Sequence, residues 1–137
     1  MIDINVIQSY LSQYGWQFET TDSNDIVASF GTDTMQFLVV FQLEPPWLRI
    51  SIPVYLLGLK SPISEQHTLE LLRANFNTRL ARFAIDEHNQ VILCLEIYVA
   101  QGLEYPQFEI HLDSITFFAE TLYPKLSSEA AAEVDEL

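Results

Sequence analysis

The sequence is poor in the residues that build most chemical sites. Its 137 residues include one cysteine, four glycines and six basic residues, against nineteen acidic ones. One cysteine excludes a disulfide within the chain, and four glycines leave little backbone that could wrap a phosphate. Nucleic-acid binding needs clustered lysine and arginine, which a formal net charge of −13 opposes. These shortages disfavour disulfide-based, phosphate-binding and nucleic-acid-binding functions.

Long hydrophobic runs are also missing, and the first residues do not predict a secretion signal. No run approaches the roughly 18 apolar residues of a membrane span, and MIDINVIQSY has no basic segment followed by an apolar one. Apolar residues still make up 49% of the chain, which is ample for one hydrophobic core. We therefore expect a cytoplasmic protein with one domain over residues 1–126 and an acidic, disordered tail over residues 127–137.

Hydrophobic spacing predicts three helices and a series of strands. Asp3 is a suitable N-cap for the first helix, Gly15 a suitable end, and Pro124 is expected to stop the third. The helices are predicted over residues 3–14, 64–78 and 106–122, and the strands over 26–30, 35–43, 47–57, 81–86 and 91–99, with a further short one at 16–20. Because runs of strands separate the helices, the order α-β-β-β-α-β-β-α predicts an α+β fold with helices on one face of an antiparallel sheet of about five strands.

The second predicted helix contains an apolar stripe at helical spacing. We expect this stripe to face the core, whereas Leu71 should point outward. The stripe consists of Leu69, Leu72, Phe76 and Leu80.

The hairpin that follows this helix is predicted to turn through a three-residue loop at 88–90. That loop would set Phe83 opposite Leu95 and Arg82 opposite Glu96, which gives both faces of the hairpin suitable cross-strand partners. Ile85 would then lie opposite Leu93.

No catalytic or metal-binding pattern stands out. The three histidines lack a second ligand at metal-binding spacing, and Cys94 lies in the apolar run VILCLEI, where burial is expected. The Asp86-Glu87-His88 segment could suggest an acid–base pair, but aspartate before a turn is ordinary hairpin chemistry. We therefore predict neither an enzyme nor a bound cofactor or metal.

Some apolar side chains are predicted to lie where solvent is expected. Scattered surface hydrophobes are common and form one explanation. The other is a surface for a protein partner or a second copy of the chain, and its candidate residues are Leu71, Tyr98, Ile110 and Phe117.

The stretch LELLRANFNTRLARFAIDEHNQVILCLEIYV, over residues 69–99, resembles the YbjN-like proteins, whose fold is similar to that of class I type III secretion chaperones. The resemblance covers about residues 1–126, although Asn89-Gln90 stands where a glycine is usual. The features that carry it are Asn75, Arg82-Phe83, Asp86, the polar turn before VILCLEI, Gly15-Trp16 and Tyr123-Pro124.

This resemblance implies a small, acidic, cytoplasmic domain, commonly a homodimer, that holds a protein segment and performs no chemistry. The predicted function is thus a non-enzymatic, protein-binding module of the chaperone-like or regulatory kind. The alternative is a regulatory domain that binds a small ligand between helix and sheet, which would need a concave pocket with converging polar groups.

Overall fold

Three helices and six strands follow one another in a computed structural model that describes residues 2–32, 35–53 and 65–135. Hydrophobic residues on one side of each strand and helix build a shared core. The elements are α1 (Ile4–Tyr14), β1 (Phe18–Thr20), β2 (Ile26–Thr32), β3 (Met35–Glu44), β4 (Trp47–Ile52), α2 (Glu65–Asn77), β5 (Arg82–Ile85), β6 (Val91–Tyr98) and α3 (Tyr105–Asp135).

The strands form one antiparallel sheet in the order β1-β2-β3-β4-β6-β5. The predicted α+β class is confirmed, and the described residues contain six strands rather than about five because residues 18–20 pair with β2. The structure ends β4 at Ile52, and residues 54–57 of its predicted extension lie outside the described residues. The two edges of the sheet are β1 and β5.

One face of the sheet carries the core. Ile26, Phe41, Ile50 and Leu95 are consecutive cross-strand neighbours over four strands, and all are almost completely buried. Phe108 of α3 covers this row, with its ring 6.2 Å from that of Phe41. Because side chains alternate between the faces of a strand, the residues between those of the core row project from the opposite face of the sheet, which we call the open face.

Helix α1 begins and ends as its sequence predicts. The Asp3 carboxylate accepts a hydrogen bond from the Val6 amide at 3.2 Å, and Gly15 ends the helix in the left-handed conformation at φ 99°. Two tyrosines fix α1 to α3 and the segment before it. Tyr10 Oη donates to the Leu103 carbonyl and Tyr14 Oη to the Asp113 carboxylate, both at 2.5 Å.

The Tyr14 contact predicts a loss of stability at alkaline pH. Burial, followed by the hydrogen bond to Asp113, raises the pKa of Tyr14 well above its usual range. Unfolded tyrosine ionises near pH 10, so this contribution is complete below about pH 10 and falls as the pH rises toward the native pKa. Tyr14→Phe should cost about 0.5–1.5 kcal/mol near neutral pH in urea unfolding.

That difference between wild type and Tyr14→Phe should narrow when unfolding is repeated at about pH 11. Asp113→Asn keeps the tyrosine but removes a carboxylate that raises the pKa of Tyr14, so the alkaline loss of stability should be smaller in this variant than in wild type. A difference between wild type and Tyr14→Phe that stays constant from neutral to alkaline pH would contradict the assigned hydrogen bond.

Helix α3 does not stop before Pro124, so the predicted end at 122 is wrong. A proline inside a helix removes one backbone hydrogen bond and costs about 3 kcal/mol, but it does not always terminate the helix. The segment SSEAAAEVD that follows includes good helix formers, and the structure continues α3 through it to Asp135. Residues 127–135 are therefore helical where a disordered tail is expected from sequence, and the domain boundary at 126 stays a prediction.

The β5–β6 hairpin has a register two residues away from the predicted one. Phe83 pairs with Leu93 and Arg82 with Cys94, so the predicted partners Leu95 and Glu96 are wrong. The backbone bond from Asp86 N to the Gln90 carbonyl, at 2.9 Å, closes a three-residue loop at 87–89, one residue earlier than predicted. Ile85 accordingly pairs with Val91 rather than Leu93.

Side-chain chemistry at the turn explains this position. Asp86 Oδ1 accepts hydrogen bonds from the amides of His88 and Gln90, at 2.8 and 2.9 Å. Asn89 adopts the left-handed conformation at φ 61°, which asparagine tolerates better than most residues. Arg82 still reaches Glu96, but as a diagonal neighbour at 3.1 Å.

Candidate functional site

Helix α2 faces the opposite way from the prediction. His67 and Leu71 are buried, whereas Leu72 is 61% exposed and Phe76 90% exposed. The prediction that this apolar stripe enters the core is therefore wrong, and so is the outward placement of Leu71. The exposed residues of the predicted stripe are Leu69, Leu72, Phe76 and, just after the helix, Leu80.

The rotation of α2 is set by Asn75. Its side-chain Nδ2 donates to the Phe83 carbonyl at 3.1 Å, and its Oδ1 accepts from the Phe83 amide at 2.6 Å. The amide thereby pairs with the outer edge of β5 as a neighbouring strand would. We call this pair of hydrogen bonds between Asn75 and Phe83 the clamp. Leu71 precedes Asn75 by one helical turn and shares its side of α2, so the clamp places Leu71 inside and leaves Leu72 and Phe76 outside.

A shallow apolar groove of about 170 Å³ runs between α2 and β5. Leu71 and Phe83 are its buried lining residues, while Leu72 and Ile85 are exposed along it. The remaining lining residues are Thr68, Asn75 and Ala84. We call the exposed residues Leu69, Leu72, Phe76 and Ile85, together with this groove, the α2–β5 surface.

The four residues predicted for a partner surface do not form one patch. Ile110 and Phe117 are exposed on α3, at 60% and 57%, as expected for a seven-residue spacing on the outer side of a helix. Tyr98 is also exposed, but it lies on the open face of the sheet. Leu71 is buried in the α2–β5 groove. A role in partner binding stays a prediction for all four.

The open face combines aromatic and charged side chains. The Trp47 and Tyr98 rings are in contact, with centroids 5.2 Å apart. Glu96 Oε1 accepts from Arg49 at 3.2 Å and from Arg82 at 3.1 Å. This ion-pair cluster is half exposed, and pairs of that kind contribute about 0–1 kcal/mol each to stability. The cluster therefore acts mainly to orient its side chains.

Cys94 lies on the same face of β6 but is buried. Burial raises the pKa of the Cys94 thiol, with smaller opposing contributions from the neighbouring arginines. A thiol that stays protonated is a poor nucleophile and a poor metal ligand. The structure thus places Cys94 as a small apolar residue, which its sequence context predicts.

The Asp86-Glu87-His88 segment has the geometry of a turn. Asp86 is engaged with backbone amides, and His88 Nε2 lies 3.8 Å from Glu87 Oε1 with both side chains largely exposed. Within the described ranges, no three histidine, cysteine or acidic side chains are arranged to hold a metal ion. In the same ranges, none of the helices combines the length and the apolar character that crossing a membrane requires.

The fold has relatives among solved structures. YbjN from E. coli, described as a putative transcription regulator, superposes with a TM-score of 0.66 at 14% identity, over 96% of this chain and 94% of that one. The Pseudomonas aeruginosa ExoU–SpcU complex gives a TM-score of 0.59 at 18% identity, over 86% and 95%. The Yersinia pestis type III secretion chaperone SycH, with a fragment of YscM2, gives 0.54 at 18% identity, over 86% and 97%.

Sequence comparison identifies one family. Residues 3–128 match the YbjN family, described as "Putative bacterial sensory transduction regulator". A comparison with curated protein sequences gives no match.

Proposed function

The chain belongs to the YbjN family, and we propose that it is a cytoplasmic, non-enzymatic protein-binding module that forms a homodimer through the α2–β5 surface. The observation that carries this proposal is the outward apolar stripe of α2. Phe76 alone is 90% exposed, and Leu69 and Leu72 lie beside it on the same side of the helix. Contiguous apolar surface of this kind marks interaction sites in soluble proteins.

The two apolar faces of α2 distinguish it from an ordinary surface helix. Leu71 and Ala74 pack toward the core, so the helix already has the buried stripe that holds it to the fold. A surface helix usually presents charged or polar residues on its opposite face. Helix α2 instead presents three large apolar residues there, which favours a second covering surface supplied by a partner.

A second copy of the chain suits this surface because one protomer offers both parts of a complementary contact. Phe76 and Leu72 project from α2, and the groove between α2 and β5 runs alongside them. In a two-fold symmetric dimer, the projecting residues of one protomer can enter the groove of the other, and the contact is repeated by symmetry. The self-complementary surface therefore supports a homodimer.

Solved relatives support the protein-binding part of the proposal. SpcU is found in a heterodimeric complex with ExoU, and SycH with a fragment of YscM2. Both are proteins of the same fold in contact with another polypeptide. We propose that this chain likewise holds a protein client.

The small-ligand alternative has less support. Of the groove-lining side chains, Thr68 and Asn75 are polar, and both polar atoms of the Asn75 amide are already bonded to Phe83. Ligand pockets usually have a few converging polar groups that fix the orientation of the ligand. The α2–β5 groove favours an apolar side chain instead.

Light scattering on a size-exclusion column tests the homodimer. The wild-type chain should have about twice its monomer mass of 15.7 kDa, and the double variant Leu72→Asp/Phe76→Asp should have the monomer mass. Placing carboxylates in an apolar interface leaves them desolvated and unpaired, which should prevent association. Both side chains are exposed in the protomer, so the fold itself should remain.

Ile110→Asp/Phe117→Asp is the matched control, since it changes two similarly exposed apolar residues on α3 and adds the same charge. It should remain dimeric. A monomer in the α3 variant together with a dimer in the α2 variant would move the interface to α3. A monomeric wild-type chain at micromolar concentration would contradict the homodimer.

A further inference from the structure

One end of the open face presents a row of three side chains on adjacent strands. Glu44 of β3 is the cross-strand neighbour of Trp47 of β4, which in turn neighbours Tyr98 of β6. The two rings meet at an angle of 60° and are each about half exposed, at 48% and 55%. The Trp47 and Tyr98 rings therefore form an angled aromatic surface beside the Glu44 carboxylate.

The backbone at this end of the sheet is well fixed. Pro45 and Pro46 form the short connection between Glu44 and Trp47, and proline restricts the backbone φ angle. The Val99 amide, just after Tyr98, donates to the Pro46 carbonyl at 2.8 Å. The backbone that carries the aromatic pair is thereby held in place before any ligand binds, which lowers the entropy lost on binding.

The arginines near this row bind a carboxylate other than Glu44. Arg49 is the nearest cationic side chain on β4, but it and Arg82 both bind Glu96. Within the described parts of the chain, no cationic side chain forms an ion pair with Glu44. A depression of about 200 Å³ lies among Gln42, Glu44, Trp47, Arg49 and Glu96.

Neighbouring carboxylates outweigh the arginines at this end of the sheet. Gln42 Nε2 donates to Asp25 Oδ2 at 3.4 Å. Because Gln42, Arg49 and Glu96 are consecutive cross-strand neighbours, Asp25 and Glu96 lie at opposite ends of this row. With Glu44, these carboxylates number three against the two arginines Arg49 and Arg82, and the whole chain carries a net charge of −13. The local and overall charges both favour a cationic ligand.

From this geometry we propose that the row Glu44–Trp47–Tyr98 binds an arginine side chain of a partner polypeptide. A guanidinium group is planar, stacks on aromatic rings and can donate two hydrogen bonds to one carboxylate. Trp47 and Tyr98 provide the stacking surface, and Glu44 provides the acceptor. A lysine ammonium group would find the same charge but would lack the planar stacking contact. The inference rests on the proposed protein-binding function for the origin of the arginine.

Fluorescence can test this site directly. The chain has two tryptophans, and Trp16→Phe leaves Trp47 as the reporter while keeping an aromatic ring against Phe30, on which Trp16 stacks at 5.4 Å. This parent is titrated with the blocked peptide Gly-Arg-Gly-Arg-Gly and with its lysine and glutamate counterparts. We expect a saturable change in Trp47 emission with the arginine peptide, about threefold weaker binding with lysine, and none with glutamate.

Glu44→Gln in this parent should weaken binding of the arginine peptide about fivefold or more, the equivalent of losing one charge-assisted contact. The matched control is Glu19→Gln, which removes one exposed carboxylate from β1 and should weaken binding less than about twofold. Equal weakening of arginine-peptide binding by both variants would mean that binding depends on general charge attraction, which would overturn the proposed site. Tightest binding of the glutamate peptide would overturn it in favour of an anion site at Arg49.

Self-association is measured separately, by the mass of the same proteins in light scattering. A parent that binds the arginine peptide as a monomer would contradict the homodimer but support the arginine site. A dimeric parent without saturable arginine binding would overturn the site and leave the homodimer standing.

Discussion

Leu71→Ala should lower the free energy of unfolding by about 2–5 kcal/mol, whereas Leu72→Ala should lower it by less than about 1 kcal/mol in the monomer. The two residues are adjacent and chemically identical, but Leu71 is 4% exposed and Leu72 is 61% exposed. Truncating Leu71 removes buried surface and leaves a cavity between α2 and β5. Truncating Leu72 removes a side chain that the monomer leaves largely in water.

Urea unfolding over a range of protein concentrations separates this effect from dimerisation. The cost of Leu71→Ala should persist on dilution because it arises within one protomer. Any cost of Leu72→Ala should shrink on dilution, since stability gained by association depends on concentration. Equal costs for both variants at the lowest concentration would contradict the orientation of α2.

Helix α1 and the fold class were predictable because their signals are local. Asp3 and Gly15 fix the ends of α1 by side-chain capping and by a left-handed backbone conformation, and both act within a few residues. Alternating apolar residues likewise identify β2, β3 and β6 without knowledge of their neighbours. The added strand β1 is short, and its pairing with β2 depends on tertiary structure.

The orientation of α2 could not be predicted from helical spacing because the helix is apolar on two sides. Spacing identifies which residues share a face, but it cannot tell which of two apolar faces enters the core. The decision depends on Asn75, whose partner Phe83 lies on β5, eight residues later. The stripe that looks most like core is therefore the surface available to a partner.

The hairpin register shows a related ambiguity. A shift of two residues leaves every side chain on the same face of the sheet, so alternation cannot distinguish the predicted pairing from the observed one. The amides of His88 and Gln90 bind Asp86, and these bonds select the loop at 87–89. Exposure of Tyr98, Ile110 and Phe117 was predicted correctly, but their separation onto two surfaces required the sheet topology.

Asn75→Ala should lower the free energy of unfolding by about 2–4 kcal/mol and should also expose the edge of the sheet. The substitution leaves the Phe83 amide and carbonyl without their side-chain partner, and each unsatisfied buried group costs about 1–3 kcal/mol. Because these groups lie on the outer side of edge strand β5, they become available to another strand. Urea unfolding measures the first effect, and light scattering during heating measures the second.

Two further variants test how the clamp contributes to stability: one changes a single hydrogen bond of the clamp, and the other is a control elsewhere on α2. Asn75→Asp retains the acceptor for the Phe83 amide but loses the donor to its carbonyl, so it should also destabilise the fold. Asn77→Ala changes the same residue type at an exposed position on α2 and should have little effect. If Asn75→Ala behaved like Asn77→Ala, the clamp would not set the rotation of α2. If it is destabilising and raises aggregation, Asn75 protects the β5 edge from strand addition, and partners at the α2–β5 surface must bind through side chains.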